Sequence, residues 1–225
     1  MHDPDKLSTL TLDDRTLEGS PSKTYKIPRD LLVWLSSYFA VQVDLDSSLE
    51  RGALTIDGRH DIFDAFTCWM YTGRLRDPPS DPATATREEL YLSPETLCLI
   101  WIFADLRGVS GLGNAAIDMY HEVISAVWAL HSRVNNVIYR YTKRGCSLRR
   151  FIVDAFVRTN GLKKIVNGVA PTATVPEFLL EAMSADMDIE KNNTVLGRDE
   201  WMRTDRCQWH DHSGPRGKLP VESRK

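Results

Sequence analysis

The sequence predicts an α+β chain in which a few short strands precede a long helical stretch. Three observations carry that expectation. KTYKI, residues 23–27, alternates polar and apolar side chains at the period of a half-buried strand, with Tyr25 and Ile27 on one face. From Asp30 onward the apolar residues recur at three- and four-residue spacing, the period of helices packed on a core. Hydrophobic residues make up 42% and charged residues 26% of the 225, the balance of a chain that folds.

Before KTYKI, the stretch LSTLTL from Leu7 to Leu12 predicts a weak strand that Asp13 and Asp14 break. The rest of residues 1–22 reads as a flexible or weakly structured N-terminus. Pro28 ends the second strand, and Asp30 is placed as N-cap or first-turn acid of a helix with Leu31, Leu32, Leu35, Tyr38 and Phe39 on one face. ALTI, Ala53 to Ile56, is a short strand followed by the turn signal Asp57-Gly58.

FDAFTCWMYTGRL then opens a helix, with Asp61 as a candidate N-cap, Asp64 in the first turn and Gly73 as the C-terminal cap. Its stripe of Ile62, Phe63, Phe66, Trp69 and Met70 is expected to be a core face rather than a cofactor box, because such residues are usually buried. Arg76 to Glu89, with PPSDP, reads as a surface loop. Ser93-Pro94-Glu95 starts a helix that turns Leu97, Ile100, Trp101 and Ala104 inward and ends near Gly108. A second helix from Ser110 carries Leu112, Ala115, Ala116, Met119 and Val123, so the two form a helical hairpin.

Residues 126–190 read as a helical extension: Val134, Val137, Ile138 and Tyr141, then Leu148, Phe151, Ile152, Ala155 and Phe156, then Phe178, Leu179, Ala182 and Met183. Polar and turn-forming residues dominate from Lys191, and the composition predicts a disordered tail over 191–225.

The net charge of −3 is spread over both signs, which gives no basic field to hold a nucleic acid. Cys68, Cys98, Cys146 and Cys207 are widely spaced with no CxxC pair, and the N-terminus does not resemble a signal peptide. The expected location is intracellular, in the nucleus or cytoplasm. No apolar run approaches the roughly 18 to 20 residues of a membrane span.

Four stretches in order, KTYKIPRDLLVWLSSYF, SSLERGALTIDGRHDIFDAFTCWMYTGRL, FADLRGVSGLGNAAIDMY and SLRRFIVDAF, resemble the BTB/POZ fold and within it the fungal BTB group. Ser37, Tyr38 and Phe39 match the end of the first motif, whereas Pro28 stands where the family often has histidine. Tyr71, Thr72 and Gly73 match the close of the second, and Ala104, Asp105 and Leu112 match the third. The resemblance implies a BTB/POZ domain over 23–125, a small sheet of short strands packed with helices, followed by the all-helical extension. It implies a protein-interaction scaffold or adaptor with no catalytic residues and no bound cofactor. Members of the group self-associate or serve as substrate adaptors of cullin-3 ubiquitin ligases through a hydrophobic-x-glutamate element after the first helix. The matching partner-contact triplet here is Ser48, Leu49 and Glu50, in which Glu50 fits and Ser48 supplies no hydrophobic anchor.

Two constellations could carry chemistry. Cys146, His131 and Asp154 supply the residue types of a thiol hydrolase, but no glycine elbow or oxyanion-forming turn surrounds them, so a loop cysteine is the preferred reading. In CQWHDH, Cys207, His210 and His212 are candidate zinc ligands, since thiolate and imidazole are the usual donors. Similar C-x-x-H-x-H endings recur in the fungal BTB group. A closed four-ligand site needs one more, from Cys146 or His121, and the plain reading is a docked or disordered tail. The alternative to an interaction module is therefore a zinc- or thiol-dependent enzyme in which Cys146, Cys207, His210 and His212 converge on a cleft. KRGCSLRR, Lys143 to Arg150, reads as a solvated basic turn, and there is no Walker loop, HExxH or GxGxxG.

Overall fold

The computed structural model describes the backbone of residues 7–13, 23–45, 53–159, 175–192 and 195–214, and the side chains of 23–42, 58–159, 175–187 and 195–214. The expected α+β architecture with a BTB/POZ sheet is overturned. Over the residues whose side chains are described, 66% are helical and 4% are strand, and the single strand is Lys23–Pro28. The physical reason is in the pattern: period-two alternation is confined to a few residues, while helical spacing runs through the rest of the chain. Backbone pairing places that strand, β2, beside two short segments, β1 (Leu7–Asp13) antiparallel to it and β3 (Ala53–Asp57) parallel to β1, in the order β2-β1-β3. This ribbon is a minor part of the chain.

The chain divides into two compact units, residues 1–77 with 103–112 and 211–225, and residues 78–102 with 113–210. In the first, β2 leads into α1 (Arg29–Leu35), and Asp30 sits in its first turn as an acid rather than as its cap. The single helix expected here breaks at Ser36, which is extended, and resumes as α2 (Ser37–Leu45). The Ser36 hydroxyl accepts from the Phe39 N–H at 3.1 Å and donates to the Arg107 carbonyl at 2.5 Å, so one buried side chain caps the new helix and fixes a distant turn.

Helix α3 (His60–Thr72) buries Ile62, Phe63, Phe66, Trp69 and Met70. The residue at its N-cap is Arg59, which pairs with Asp61, and not Asp61 itself. Gly73, at φ 74, closes the helix with its N–H on the Trp69 carbonyl at 2.8 Å. Tyr25, Phe39, Phe63, Phe66 and Phe103 form a chain of stacked, tilted and edge-on ring contacts with centroids 4.6 to 6.1 Å apart. The Tyr25 hydroxyl donates to Asp64 at 2.8 Å, and burial together with that carboxylate makes its proton harder to lose.

In the second unit the expected loop over 76–89 ends in a short helix, α4 (Arg87–Leu90), whose start is held by Glu89 accepting from the Thr86 N–H and hydroxyl. Helices α5 (Pro94–Arg107) and α6 (Ser110–Val127) each contribute residues to both units. Leu97, Ile100, Trp101 and Ala104 are buried on α5, as are Leu112, Ala116 and Val123 on α6. α7 (Val134–Tyr141) buries Asn135 and Tyr139 beside Val134 and Ile138, leaving Tyr141 exposed. α8 (Ser147–Arg158) buries every residue of its expected stripe. α9 (Pro176–Asn192) packs on α8 through Phe178 and Ala182, while Met183 faces outward. Among the described residues no helix is long and apolar enough to cross a membrane.

The KRGCSLRR cluster is not simply a solvated turn. Arg149 is only 4% exposed and donates to the Tyr139 and Thr142 carbonyls, the Thr142 hydroxyl and Glu177, with its guanidinium 4.2 Å from the centre of the Tyr139 ring. Those carbonyls lie at the C-terminal end of α7, where a helix leaves acceptors unpaired, so the arginine serves as the cap.

Candidate functional site

The tail expected to be disordered carries, within residues 195–214, the short helix α10 (Arg198–Met202) and a 3₁₀ turn, Arg206–Trp209. Composition missed this because two tryptophans supply the apolar surface. Trp201 and Trp209 are buried in a cluster with His121 and Phe151; the His121 and Trp201 rings stack at 4.8 Å and Phe151 meets Trp209 edge-on at 5.2 Å. Several polar groups of this segment are engaged by α6 and α8. Arg198 donates to the Ser125 and Ala126 carbonyls at the end of α6, each at 2.7 Å, and the Trp209 indole N–H donates to Asp154 at 2.8 Å. His121 Nε2 meets the Trp201 carbonyl at 2.9 Å, and burial holds this imidazole below its ordinary pKa.

The turn itself brings the candidate ligands together. Asp205 accepts from the Cys207 N–H at 2.9 Å and starts the 3₁₀ geometry, in which residues three apart eclipse, so Cys207 and His210 share a side while Trp209 points into the core. His210 is extended, and the period of two along extended backbone returns His212 to that side. The ligand atoms of Cys207, His210 and His212 all lie within 4.8 Å of one another. Cys207 and His212 are exposed and His210 is half-buried. His210 Nε2 is 3.0 Å from Asp118, and Arg206 bridges Asp118 at 3.2 Å and Glu122 at 3.1 Å.

Neither Cys146 nor His121 joins this group. Cys146 stands at the N-cap of α8, and no hydrogen bond links it to His131 or Asp154 among the described residues; Asp154 is engaged by Trp209. Burial also lowers the pKa of His131, and Arg87 adds to that. Cys98 is fully buried, which pushes its thiol pKa up and leaves it inert. Ser48, Leu49 and Glu50 lie outside the described residues. Asp118 and Arg206, which orient His210, were not singled out from the sequence. Their only signal there is position on one face of α6 and beside the cysteine.

A second surface feature lies on α9. Leu180, Met183 and Met187 are 69%, 57% and 64% exposed and follow the i, i+3, i+7 spacing of one helical face. An open groove of about 400 Å³ runs beside them, lined by Arg144, Glu177, Leu180, Glu181, Ser184 and Ala185.

No family model matches this chain, and no curated protein matches it.

Proposed function

We propose that this chain is an intracellular protein-interaction module without catalytic activity of its own, the role implied by its resemblance to the fungal BTB/POZ group. Its docking face is the outer surface of α9, and its occupant is a basic amphipathic helix of a partner protein. The observation that carries this reading is the exposed Leu180, Met183 and Met187 stripe. Three large apolar side chains at helical spacing leave water when a second helix lies across them, the geometry of helix-in-groove recognition. Charge selects the partner: α9 carries five acidic residues and one lysine, so lysines and arginines flanking the partner's apolar stripe are complementary.

What weighs against the enzyme alternative is the separation of its parts. Cys146 is not in the Cys207, His210, His212 group, and the Asp154 carboxylate is used by Trp209. The cullin-3 contact at Ser48, Leu49 and Glu50 remains a proposal of the resemblance alone.

The test is fluorescence anisotropy of a synthetic peptide helix, leucines on one face and lysines on its flanks, titrated with the full chain. Saturable binding that weakens about tenfold or more in the Leu180→Glu, Met187→Glu double variant supports the reading. Equal binding by the variant overturns it. So does a doubled mass in light scattering that the same substitutions abolish, since the face would then be occupied by a second copy of this chain.

A further inference from the structure

We propose that Cys207, His210 and His212 hold one zinc-class divalent cation, and that the ion clamps the turn that seats Trp209. A thiolate with two imidazoles is a donor set that zinc favours and that calcium or magnesium does not. Ligands of a tetrahedral zinc ion sit about 3.3 to 3.6 Å apart, given bonds of about 2.0 to 2.3 Å. The three atoms here fall within 4.8 Å of one another, so small side-chain rotations close the site.

A second, independent feature points the same way. Asp118 holds His210 Nε2 at 3.0 Å, and Arg206 in turn holds Asp118, which fixes the ring and assigns Nδ1 as the nitrogen left for the ion. A carboxylate behind a metal-binding imidazole is the arrangement that orients such rings and raises their basicity. Three protein donors leave the fourth position for water. On binding, the Cys207 thiol proton leaves to solvent as the sulfur–metal bond forms, and the water molecules displaced from the ion return to bulk.

The clamp acts on packing rather than on chemistry. Trp209 lies between the ligands Cys207 and His210 in sequence and is buried against Phe151 and His121. Closing the ring through the metal restricts the backbone on both sides of the indole, so opening of this segment must also break metal bonds. The inference does not depend on the interaction reading, because its ligands lie away from α9 in sequence and its readout is the metal itself.

The experiment strips the full chain with a chelator and titrates it with Co²⁺ alone, then displaces the cobalt with Zn²⁺. One Co²⁺ per chain is expected, with the visible bands of tetrahedral cobalt and the near-ultraviolet band of a cobalt–thiolate bond. Cys207→Ser removes the thiolate band, and His212→Ala weakens uptake. Asp118 is a positioning residue, so Asp118→Asn keeps the thiolate band while weakening affinity by about 10- to 100-fold. Near-ultraviolet circular dichroism of the tryptophans verifies that each variant is folded. Uptake below one ion per chain, or a thiolate band that survives Cys207→Ser, overturns the site.

Discussion

Replacing Arg149 with methionine keeps most of the apolar stem and removes every donor, which makes it the sharpest probe of how the second unit is held. Its guanidinium serves two backbone carbonyls, of Tyr139 and Thr142, which the end of α7 leaves without partners. Stranding a buried acceptor costs about 1 to 3 kcal/mol each. The ion pair adds less. Glu177 is about half exposed and regains water, and Glu181 keeps the bond donated by the Tyr139 hydroxyl at 2.6 Å. The two carbonyls alone therefore bring the loss to about 2 to 6 kcal/mol, which brackets the roughly 3 to 5 kcal/mol seen when one partner of a buried charged pair is removed. Urea unfolding of the full chain, followed by tryptophan fluorescence and far-ultraviolet circular dichroism, measures it. With a slope of about 1 to 3 kcal/mol/M the midpoint falls by about 1 M or more. Arg149→Lys should recover less than half, because an ammonium cannot reach two carbonyls, a hydroxyl and a carboxylate at once. A loss below about 1 kcal/mol for the methionine variant refutes the capping role.

Stability should also fall as pH drops below the ordinary histidine value of 6.5. His121 and His131 both have lowered pKa values in the folded chain, so between pH 6.5 and their folded values the unfolded state binds more protons and is favoured. Melting temperatures at pH 7.5 and 5.5 measure the slope; His121→Gln should reduce the difference, and an unchanged difference counts against the assignment. Asn135 is fully buried on α7, and neither its amide nitrogen nor its amide oxygen has a partner among the described residues. Asn135→Leu, which replaces that amide with an apolar group of similar size, should stabilise the chain by about 1 to 3 kcal/mol in thermal or urea unfolding. A destabilised variant would show that the amide makes bonds of its own.

Much of the helical framework was legible because burial and period agree. The stripes of α3, α5 and α8 are buried as their spacing predicts, and Ser93-Pro94-Glu95 and Gly73 mark real helix ends. The failures share a cause: each depended on what a residue meets rather than on its neighbours in sequence. Arg149 sits in a basic run and reads as solvated until the end of α7 is placed beside it. Met183 fits an inward pattern by spacing, yet α9 is rotated so that Phe178 and Ala182 take the core side. The α+β expectation gave KTYKI and ALTI too much weight, because strand makes up only 4% and helix 66% of the residues whose side chains are described. The candidate ligands were legible as residue types, but their convergence comes from a 3₁₀ turn, and the tail that holds them looked too polar to fold.

The docked C-terminal segment has a kinetic consequence. Its contacts close very long loops: His121 meets Trp201 across 80 residues, Asp154 meets Trp209 across 55, and Asp118 meets His210 across 92. Local helices form in about a microsecond, whereas contacts of this separation must first overcome the entropy of closing the chain. Docking of α10 and the following turn is then the late step of folding for this unit. Until it occurs, Phe151, His121 and Tyr120 present an aromatic surface to solvent, and the time spent in that state sets how readily the chain aggregates as it folds.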